Sequence, residues 1–165
     1  MKNILLLSDT HNHIHPNAYE YIHAADEVWH AGDIGTEAFV KELAKHKPFR
    51  AVYGNIDDAQ MRTIYPKDLI FTCEGVKVYI THIGGYPNRY NLEAKKIIEQ
   101  ERPQLFICGH SHILKVMPDK KHNLLHMNPG AVGNHGFHNV ITMLRFQLHN
   151  GVISNLAVIE LGARG

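Results

Sequence analysis

The sequence predicts an α/β fold with a parallel core and antiparallel strands at its edges. Short apolar runs at residues 4–7, 27–31 and 49–53 are separated by segments whose apolar residues have helical spacing. Strands that alternate with helices indicate crossover connections and therefore parallel pairing. Later in the chain, two pairs of apolar runs flank short turns, which is typical of hairpins and adds antiparallel strands.

Two helices are predicted between the first three strands. The first covers residues 16–25, where Pro16 stands at a helix-start position. The second begins after Thr36, because a threonine hydroxyl can accept a hydrogen bond from the free N–H groups of a helix start. Its apolar residues are spaced three and four apart, as one helix face requires: Phe39, Val40, Leu43 and Ala44.

The second half of the chain predicts two hairpins, one helix and two further strands. The hairpin strands cover residues 69–73 with 76–80 and residues 140–148 with 152–161. The second pair is joined through Asn150-Gly151, a strong hairpin signal. Residues 91–100 have apolar positions with helical spacing and stop before Pro103. The remaining strands are predicted at residues 105–108 and 124–127.

Length and composition predict a single domain over residues 1–165, because domains commonly hold about 100–200 residues. The net charge of +1 disfavours nucleic acid as a partner, since such proteins usually carry a basic surface. Apolar runs are too short for a secretory signal or for a membrane span. Cys73 and Cys108 lie in apolar runs without metal-type spacing, so buried reduced thiols are expected. We therefore expect a cytoplasmic protein with no membrane partner.

Polar side chains follow five of the predicted strands directly: Asp9, Asp33, Asn55, His82 and His110. Ligands of parallel sheets bind in the crevice beyond the carboxyl ends of the strands, so these side chains are expected to meet. His11 and His112 lie two residues further on, and residues two apart on an extended chain point to the same side. With 14 histidines in the chain, one His-x-His pair alone is equally consistent with two surface imidazoles. The recurrence at several strand ends favours a common site.

These seven side chains offer carboxylate, carboxamide and imidazole donors and no thiolate. Such a set suits Mn²⁺, Fe, Co²⁺, Ni²⁺ or Zn²⁺ with five or six ligands, and it does not suit a structural tetrahedral zinc site. Seven donors exceed what one open site needs and match two ions that share a bridging carboxylate. Two ions about 3.5–4 Å apart polarise a phosphoryl group and lower the pKa of bound water towards ~7.

In chain order the motifs are Asp9-x-His11, Gly32-Asp33, Gly54-Asn55, the lone His82 and Gly109-His110-x-His112. Together they resemble the calcineurin-like metallophosphoesterase superfamily. The short chain and its Asn128-Pro129-Gly130 turn are similar to the small YfcE-type phosphodiesterase branch. The resemblance spans about residues 4 to 133 and implies a four-layer α-β-β-α sandwich, with two mixed β-sheets flanked by helices.

The resemblance also implies how the site works. Asp9, His11 and His112 would hold one divalent ion, Asn55, His82 and His110 the second, and Asp33 would bridge them, with Mn²⁺ favoured over Ni²⁺, Fe, Zn²⁺ and Co²⁺. A hydroxide that bridges the ions would attack a small-molecule phosphoester. Asp33, Asn55 and His110 would be the catalytic members of the set.

One departure concerns the proton donor. Many superfamily members have a histidine directly after the asparagine ligand, where this chain has Ile56 followed by Asp57. This leaves the general acid open. His13 and Asp57 are candidates for proton transfer or substrate contact, although a solvent-facing loop is the usual place for a histidine such as His13. His135 and His138 are candidates for the rim of the site.

Other functions remain alternatives at this level. The same fold can serve as a non-catalytic protein-binding scaffold, as in the retromer subunit of this superfamily. A phosphomonoesterase or a nuclease would use the same donor set, although a nuclease would want a basic groove. An exposed sheet edge or the C-terminal hairpin is a candidate contact for a homodimer.

Overall fold

The computed structural model describes residues 1–164. In chain order its elements are β1 (Lys2–Leu7), α1 (Ala18–Ala24), β2 (Glu27–His30), α2 (Glu37–Ala44), β3 (Phe49–Ala51), α3 (Ala59–Ile64), β4 (Asp68–Cys73), β5 (Val76–Thr81), β6 (Gly85–Tyr86), β7 (Arg89–Tyr90), α4 (Leu92–Glu101), β8 (Leu105–Ile107), β9 (Leu114–Asp119), β10 (Leu124–Pro129), β11 (Val140–His149) and β12 (Val152–Ala163).

The strands form two five-stranded mixed sheets and a small two-stranded ribbon of β6 and β7. The first sheet has the order β12-β11-β1-β2-β3, with β1, β2 and β3 parallel and β11 antiparallel to both of its neighbours. The second has the order β4-β5-β8-β10-β9, with β5, β8 and β10 parallel and the two edge strands antiparallel. The predicted parallel strands and both predicted hairpins are therefore confirmed.

The alternation of side chains along the strands separates the layers of the fold. In β1, Ile4 and Leu6 enter the core between the two sheets, whereas Leu5 and Leu7 pack with residues of α1 on the outer face. Successive residues of a strand point to opposite faces, so one fully apolar run can serve two apolar layers.

The second sheet repeats this arrangement. Its central strands turn alternate side chains into the core between the sheets, while Tyr79 and Phe106 pack outward against Ala94 and Ile98 of α4. Helices thus cover the outer face of each sheet. The predicted four-layer α-β-β-α sandwich is confirmed.

Several element boundaries differ from the prediction. Helix α1 begins at Ala18 because the preceding residues form a turn, in which the Tyr19 N–H donates to the carbonyl of Pro16 at 3.3 Å. Strand β9 was not predicted, since it contains Pro118. The strand tolerates this proline because β9 is the edge of its sheet. Helix α3, capped by the Asp58 side chain, and the ribbon were also not predicted.

The fold also bears on two other expectations, the state of the cysteines and the absence of a membrane span. Cys73 and Cys108 are both buried and unpaired, as expected. No helix within residues 1–164 has the length and apolar character needed to cross a membrane.

His126 in β10 is a buried histidine without a polar partner. Its side chain is fully buried, and neither ring nitrogen has a hydrogen-bond partner. The ring lies 5.5 Å from the ring of Phe106, centroid to centroid. Burial, helped by the positive charge of Lys115, lowers the pKa of His126 to about 4. The ring is therefore neutral in the folded protein at neutral pH.

We predict that His126→Leu stabilises the protein, because it removes two unsatisfied buried groups whose cost is about 1–3 kcal/mol each. Between about pH 6.5 and 4, an unfolded chain protonates this histidine and the folded chain does not, so native stability falls as pH drops. The variant lacks this histidine, so its stability does not include this loss, which is at most about 1.4 kcal/mol per pH unit. Urea denaturation at pH 8 and pH 5 measures both effects.

His149→Leu, at an exposed position, is the matched control and is expected to change the free energy of unfolding at pH 8 by less than about 0.5 kcal/mol. A His126→Leu variant less stable than the wild type at pH 8 would contradict the prediction.

Candidate metal centre

The seven predicted site residues lie at the carboxyl ends of parallel strands from both sheets. Asp9 and His11 follow β1, Asp33 follows β2, and Asn55 follows β3. From the second sheet, His82 follows β5, and His110 with His112 follows β8. The structure brings the seven side chains close together, six in two groups of donors and Asn55 beside His110.

Five of the seven residues have left-handed backbone conformations, with φ between 46° and 72°: Asp9, His11, Asp33, His110 and His112. Non-glycine residues adopt this conformation at a cost of about 1–3 kcal/mol each, and such residues cluster at functional sites. Hydrogen bonds between the loops hold them in place. The Asp9 N–H donates to the carbonyl of Gly32 at 3.0 Å, and the His11 N–H donates to the carbonyl of Asp33 at 3.1 Å.

The donor atoms form two groups, within each of which they lie no more than 4.8 Å apart: Asp9 with His11 and His112, and Asp33 with His82 and His110. In the first group, His112 Nε2 is 3.1 Å from Asp9 Oδ1. In the second, His82 Nε2 is 3.2 Å from Asp33 Oδ2. Asp33 Oδ2 also lies 3.5 Å from His11 Nε2 of the first group, so this carboxylate stands between the two groups.

The protonation of His82 is fixed on one side of its ring. His82 Nδ1 lies 2.7 Å from the carbonyl oxygen of Ala31, which can only accept, so Nδ1 carries a proton. In the neutral ring, Nε2 then presents a lone pair to the carboxylates of Asp33 and Asp9, at 3.2 and 3.8 Å. A proton or a metal cation must lie between these acceptors.

Buried polar atoms without partners mark the same spot. Asp9 Oδ1, His11 Nε2 and His82 Nε2 are buried and have no hydrogen-bond partner. Buried polar atoms are almost always satisfied, so three orphans that face one another call for a bound cation. The nitrogen and oxygen donors present fit a divalent ion with five or six ligands.

The charges of the site reinforce one another. Burial raises the pKa of Asp33, but the imidazoles of His11 and His82, with Nε2 atoms 3.5 and 3.2 Å from Asp33 Oδ2, outweigh burial and hold this pKa far below its usual range. The pKa of Asp9 is likewise lowered, because His112, His82 and Ser8 outweigh its burial. For His82, burial lowers the pKa, and the two carboxylates raise it above the ordinary value. The two aspartates are therefore ionised at neutral pH, and a metal would displace the proton that His82 otherwise attracts.

Asn55 reaches the site from the first sheet. Its Oδ1 lies 3.0 Å from Nδ1 of His110, so the amide oxygen faces the second group of donors. Gly54 precedes it, and a Cβ at this position would overlap the carboxylate and the backbone nitrogen of Asp33. Glycine at position 54 therefore permits the close approach of the β3 loop to Asp33.

Asp57 is buried between the loops that carry Asp33 and Asn55. Its carboxylate accepts hydrogen bonds from the N–H groups of Ile34 and Gly35, both at 3.0 Å, and of Gly54 at 2.8 Å. It therefore ties the loop that carries Asp33 to the loop that carries Asn55. These contacts give Asp57 a positioning role, while proton transfer by Asp57 stays a prediction.

The other candidates have different surroundings. His13 is half-buried in the turn after His11 and belongs to neither group of donors. The ring of His135 lies 4.7 Å from that of His11, and His138 contacts His112, so both histidines do lie at the site. Ile56 is 45% exposed, and its backbone N–H donates to Asp33 at 3.0 Å.

Two residues that support the site were not identified from the sequence. The Ser8 hydroxyl donates to Asp9 Oδ2 at 2.6 Å. The Asn128 amide donates to the carbonyl of Gly109 and to the hydroxyl of Ser111, both at 3.1 Å, and so braces the loop that carries His110 and His112. The Asn-Pro-Gly turn was visible in the sequence, but its contact with this loop was not.

A groove of about 620 Å³ opens onto the site at Asn55 and His82. Its wall includes Tyr53 and Arg62, whose guanidinium carbon lies 4.7 Å from the tyrosine ring centroid. The Nε–H group of Arg62 donates to the carbonyl of Asp57 at 2.9 Å, which fixes the cation beside the Asn55 loop. The groove was not predicted, because its wall combines residues of α3, β4, β5 and α4 that meet only in the folded chain.

Comparisons with known proteins agree with this arrangement. The family model described as the calcineurin-like phosphoesterase superfamily domain matches residues 1–151. An archaeal phosphodiesterase superposes with a TM-score of 0.74 at 21% identity, with 96% of this chain and 99% of that chain covered. Vps29 of Chaetomium thermophilum gives 0.76 at 14% identity, with 98% and 97% covered. Vps29 of Entamoeba histolytica complexed with zinc gives 0.71 at 15% identity, with 96% and 98% covered.

At these identities the structural likenesses show a shared fold and nothing finer. A search of curated proteins finds no match.

We predict that Asp57→Asn lowers the free energy of unfolding by about 2–3 kcal/mol, because an amide cannot accept from N–H groups on both sides as the carboxylate does. Urea denaturation measures the loss. The matched control is Asp58→Asn, next in the chain, whose side chain caps α3. Asparagine caps helices as well as aspartate, so that variant should differ from wild type by less than about 0.5 kcal/mol. Equal effects of the two substitutions would contradict the positioning role of Asp57.

Proposed function

Because the chain belongs to the calcineurin-like phosphoesterase superfamily, we propose that it is a metal-dependent phosphodiesterase with a two-metal centre. The observation that carries the proposal is the set of unpartnered buried atoms that face one another, Asp9 Oδ1, His11 Nε2 and His82 Nε2. A scaffold that binds no ion gains nothing from keeping these groups buried and unsatisfied, since each costs about 1–3 kcal/mol.

The side chains divide between two ions. Asp9, His11 and His112 would hold the first. His82 and His110 would hold the second together with Asn55, whose amide oxygen lies 3.0 Å from His110 Nδ1. Asp33 would contact both ions, and the support for this role is that its Oδ2 lies within 3.5 Å of one imidazole from each set, His11 and His82. When bound, the two ions polarise a phosphoryl group and lower the pKa of water.

The donor set favours Mn²⁺ and is also compatible with Ni²⁺, Fe, Zn²⁺ and Co²⁺. No cysteine lies among the two groups of donors, and carboxylate, carboxamide and imidazole together suit these ions in five- or six-coordinate sites. Ligation by neutral imidazole requires His82 to bind through Nε2, which its Nδ1 contact with Ala31 already prepares.

The groove makes the site accessible to a small-molecule phosphoester. It reaches Asn55 and His82 from the surface, and it can hold the organic part of a substrate against Tyr53 while the phosphoryl group meets the donors. Arg62 places a cation on the wall beside the Asn55 loop, where it can attract an anionic ester. The other charged residues of the wall are Lys67, which pairs with Glu93, and Asp68. Since Ile56 cannot donate a proton from its side chain, good leaving groups are favoured over poor ones.

A non-catalytic scaffold is the second candidate. Two of the structures that share this fold are Vps29 proteins. In addition, the side chain of Ile56 offers no proton donor. The two candidates differ in their expected activity. A phosphodiesterase loses turnover when its metal ions are removed and regains it when they are returned, whereas a scaffold has no turnover in either state.

The test is hydrolysis of bis-p-nitrophenyl phosphate by metal-stripped protein, with Mn²⁺, Ni²⁺, Zn²⁺ or Mg²⁺ added back. We predict that a transition-metal ion restores turnover and that Asp33→Asn reduces it at least about a hundredfold, because metal ions supply several kcal/mol of transition-state stabilisation. Asp58→Asn, a carboxylate change at a helix cap, is the matched control and should retain turnover. p-Nitrophenyl phosphate in parallel compares the monoester with the diester.

Bound metal without turnover on either ester would favour the scaffold. Turnover that is indifferent to Asp33→Asn would contradict the two-metal mechanism.

A further inference from the structure

A chain of hydrogen bonds runs from the backbone through two imidazoles to the first group of donors. His138 Nε2 lies 2.8 Å from the carbonyl oxygen of Gly133, and His138 Nδ1 lies 3.3 Å from His112 Nδ1. On the far side of its ring, His112 Nε2 lies 3.1 Å from Asp9 Oδ1.

The partners of the two imidazoles determine which ring nitrogen donates and which accepts in these hydrogen bonds. A carbonyl oxygen only accepts, so His138 Nε2 carries a proton, and in the neutral ring Nδ1 is left as an acceptor. An imidazole that donates the Nε2 lone pair to a metal carries its proton on Nδ1. His112 Nδ1 therefore donates to His138 Nδ1 whenever Nε2 ligates.

The loop between these residues is built close against His112. Gly136 has a φ of +126°, and a Cβ there would overlap the His112 ring at Nδ1. His138 is buried, and the guanidinium of Arg164 donates to its carbonyl oxygen at 2.7 Å. The acceptor for His112 is therefore held on a fixed segment.

We propose that His138 is a positioning residue of the metal centre, which orients His112 and fixes its proton on Nδ1 so that Nε2 is available as a ligand. The inference rests on the proposed two-metal centre. Within residues 1–164, His138 forms no hydrogen bond with another donor of either group. Its effect therefore falls on the ion held by Asp9, His11 and His112, while the ion at Asn55, His82 and His110 keeps its ligands.

The test is a zinc titration of metal-free protein against a chromophoric chelator, which reports stoichiometry and both affinities without any substrate. Wild type is expected to bind two ions per chain. His138→Leu and His138→Ala should weaken one of the two ions about 10- to 100-fold, as loss of a partner of a ligating imidazole usually does, and leave the other little changed. Both replacements remove the hydrogen-bond acceptor, but leucine and alanine differ in size. An equal loss of affinity in the two variants is therefore due to the acceptor and not to altered packing.

Rescue by a conservative variant distinguishes orientation from a merely structural role. His138→Asn keeps an acceptor, Oδ1, near the position of Nδ1, and should recover most of the lost affinity. Phe137→Ala is the matched control in the same loop, since Phe137 is 99% exposed and should leave both affinities unchanged. Thermal melts of the metal-free variants, compared with wild type, show that each one is folded.

The outcomes separate the two proposals. Wild-type protein that binds fewer than two zinc ions overturns the two-metal centre. Two ions in wild type with unchanged affinities in His138→Leu overturn the role of His138 alone. Equal weakening by His138→Leu and His138→Asn also overturns that role, because the acceptor would then be irrelevant.

Discussion

Two buried carboxylates, Asp9 and Asp33, constrain the rest of the site. They lie where the parallel strands of both sheets end, and their low pKa values keep them charged. A buried charge costs several kcal/mol unless it is paired and hydrogen-bonded. Imidazoles delivered from other strands supply part of the compensation, and Ser8 with backbone N–H groups supplies more. The buried atoms that remain without partners face one another. The fold therefore creates, at one place, a site that is stabilised by a bound cation.

The loops that present these groups are held against their intrinsic preferences. Left-handed conformations at five of the seven donors, close glycine contacts and short loops all carry conformational cost. The hydrogen bonds that offset this cost come from residues outside the donor set. Asp57 joins the β2 and β3 loops, Asn128 braces the β8 loop, and His138 contacts His112. Such support fixes donor positions before any ligand arrives, and rigid donors give a metal centre its affinity.

Much of this arrangement can be predicted from the sequence, because local patterns report buried strands. Contacts between distant loops leave no such pattern. Buried strands such as residues 4–7 are continuous apolar runs with polar side chains directly after them, so the strands and the seven candidate donors could be identified from the sequence. The division into two sheets was implied by the family resemblance and not by the runs themselves. Strand β9 was hidden by Pro118, which only an edge position tolerates. The roles of Asp57 and His138 depend on loops that meet only in the folded chain, and no local spacing reports such contacts. The groove wall combines Arg62 of α3 with residues of β4, β5 and α4, which are distant in the sequence.

Anomalous diffraction from crystals of the protein grown with Mn²⁺ tests the central claim most directly, because it locates ions without reference to activity. We expect two manganese peaks about 3.5–4 Å apart, one against Asp9, His11 and His112 and the other against Asn55, His82 and His110. Asp33 should contact both. A single peak, or peaks away from these side chains, would contradict a dinuclear centre bridged by Asp33.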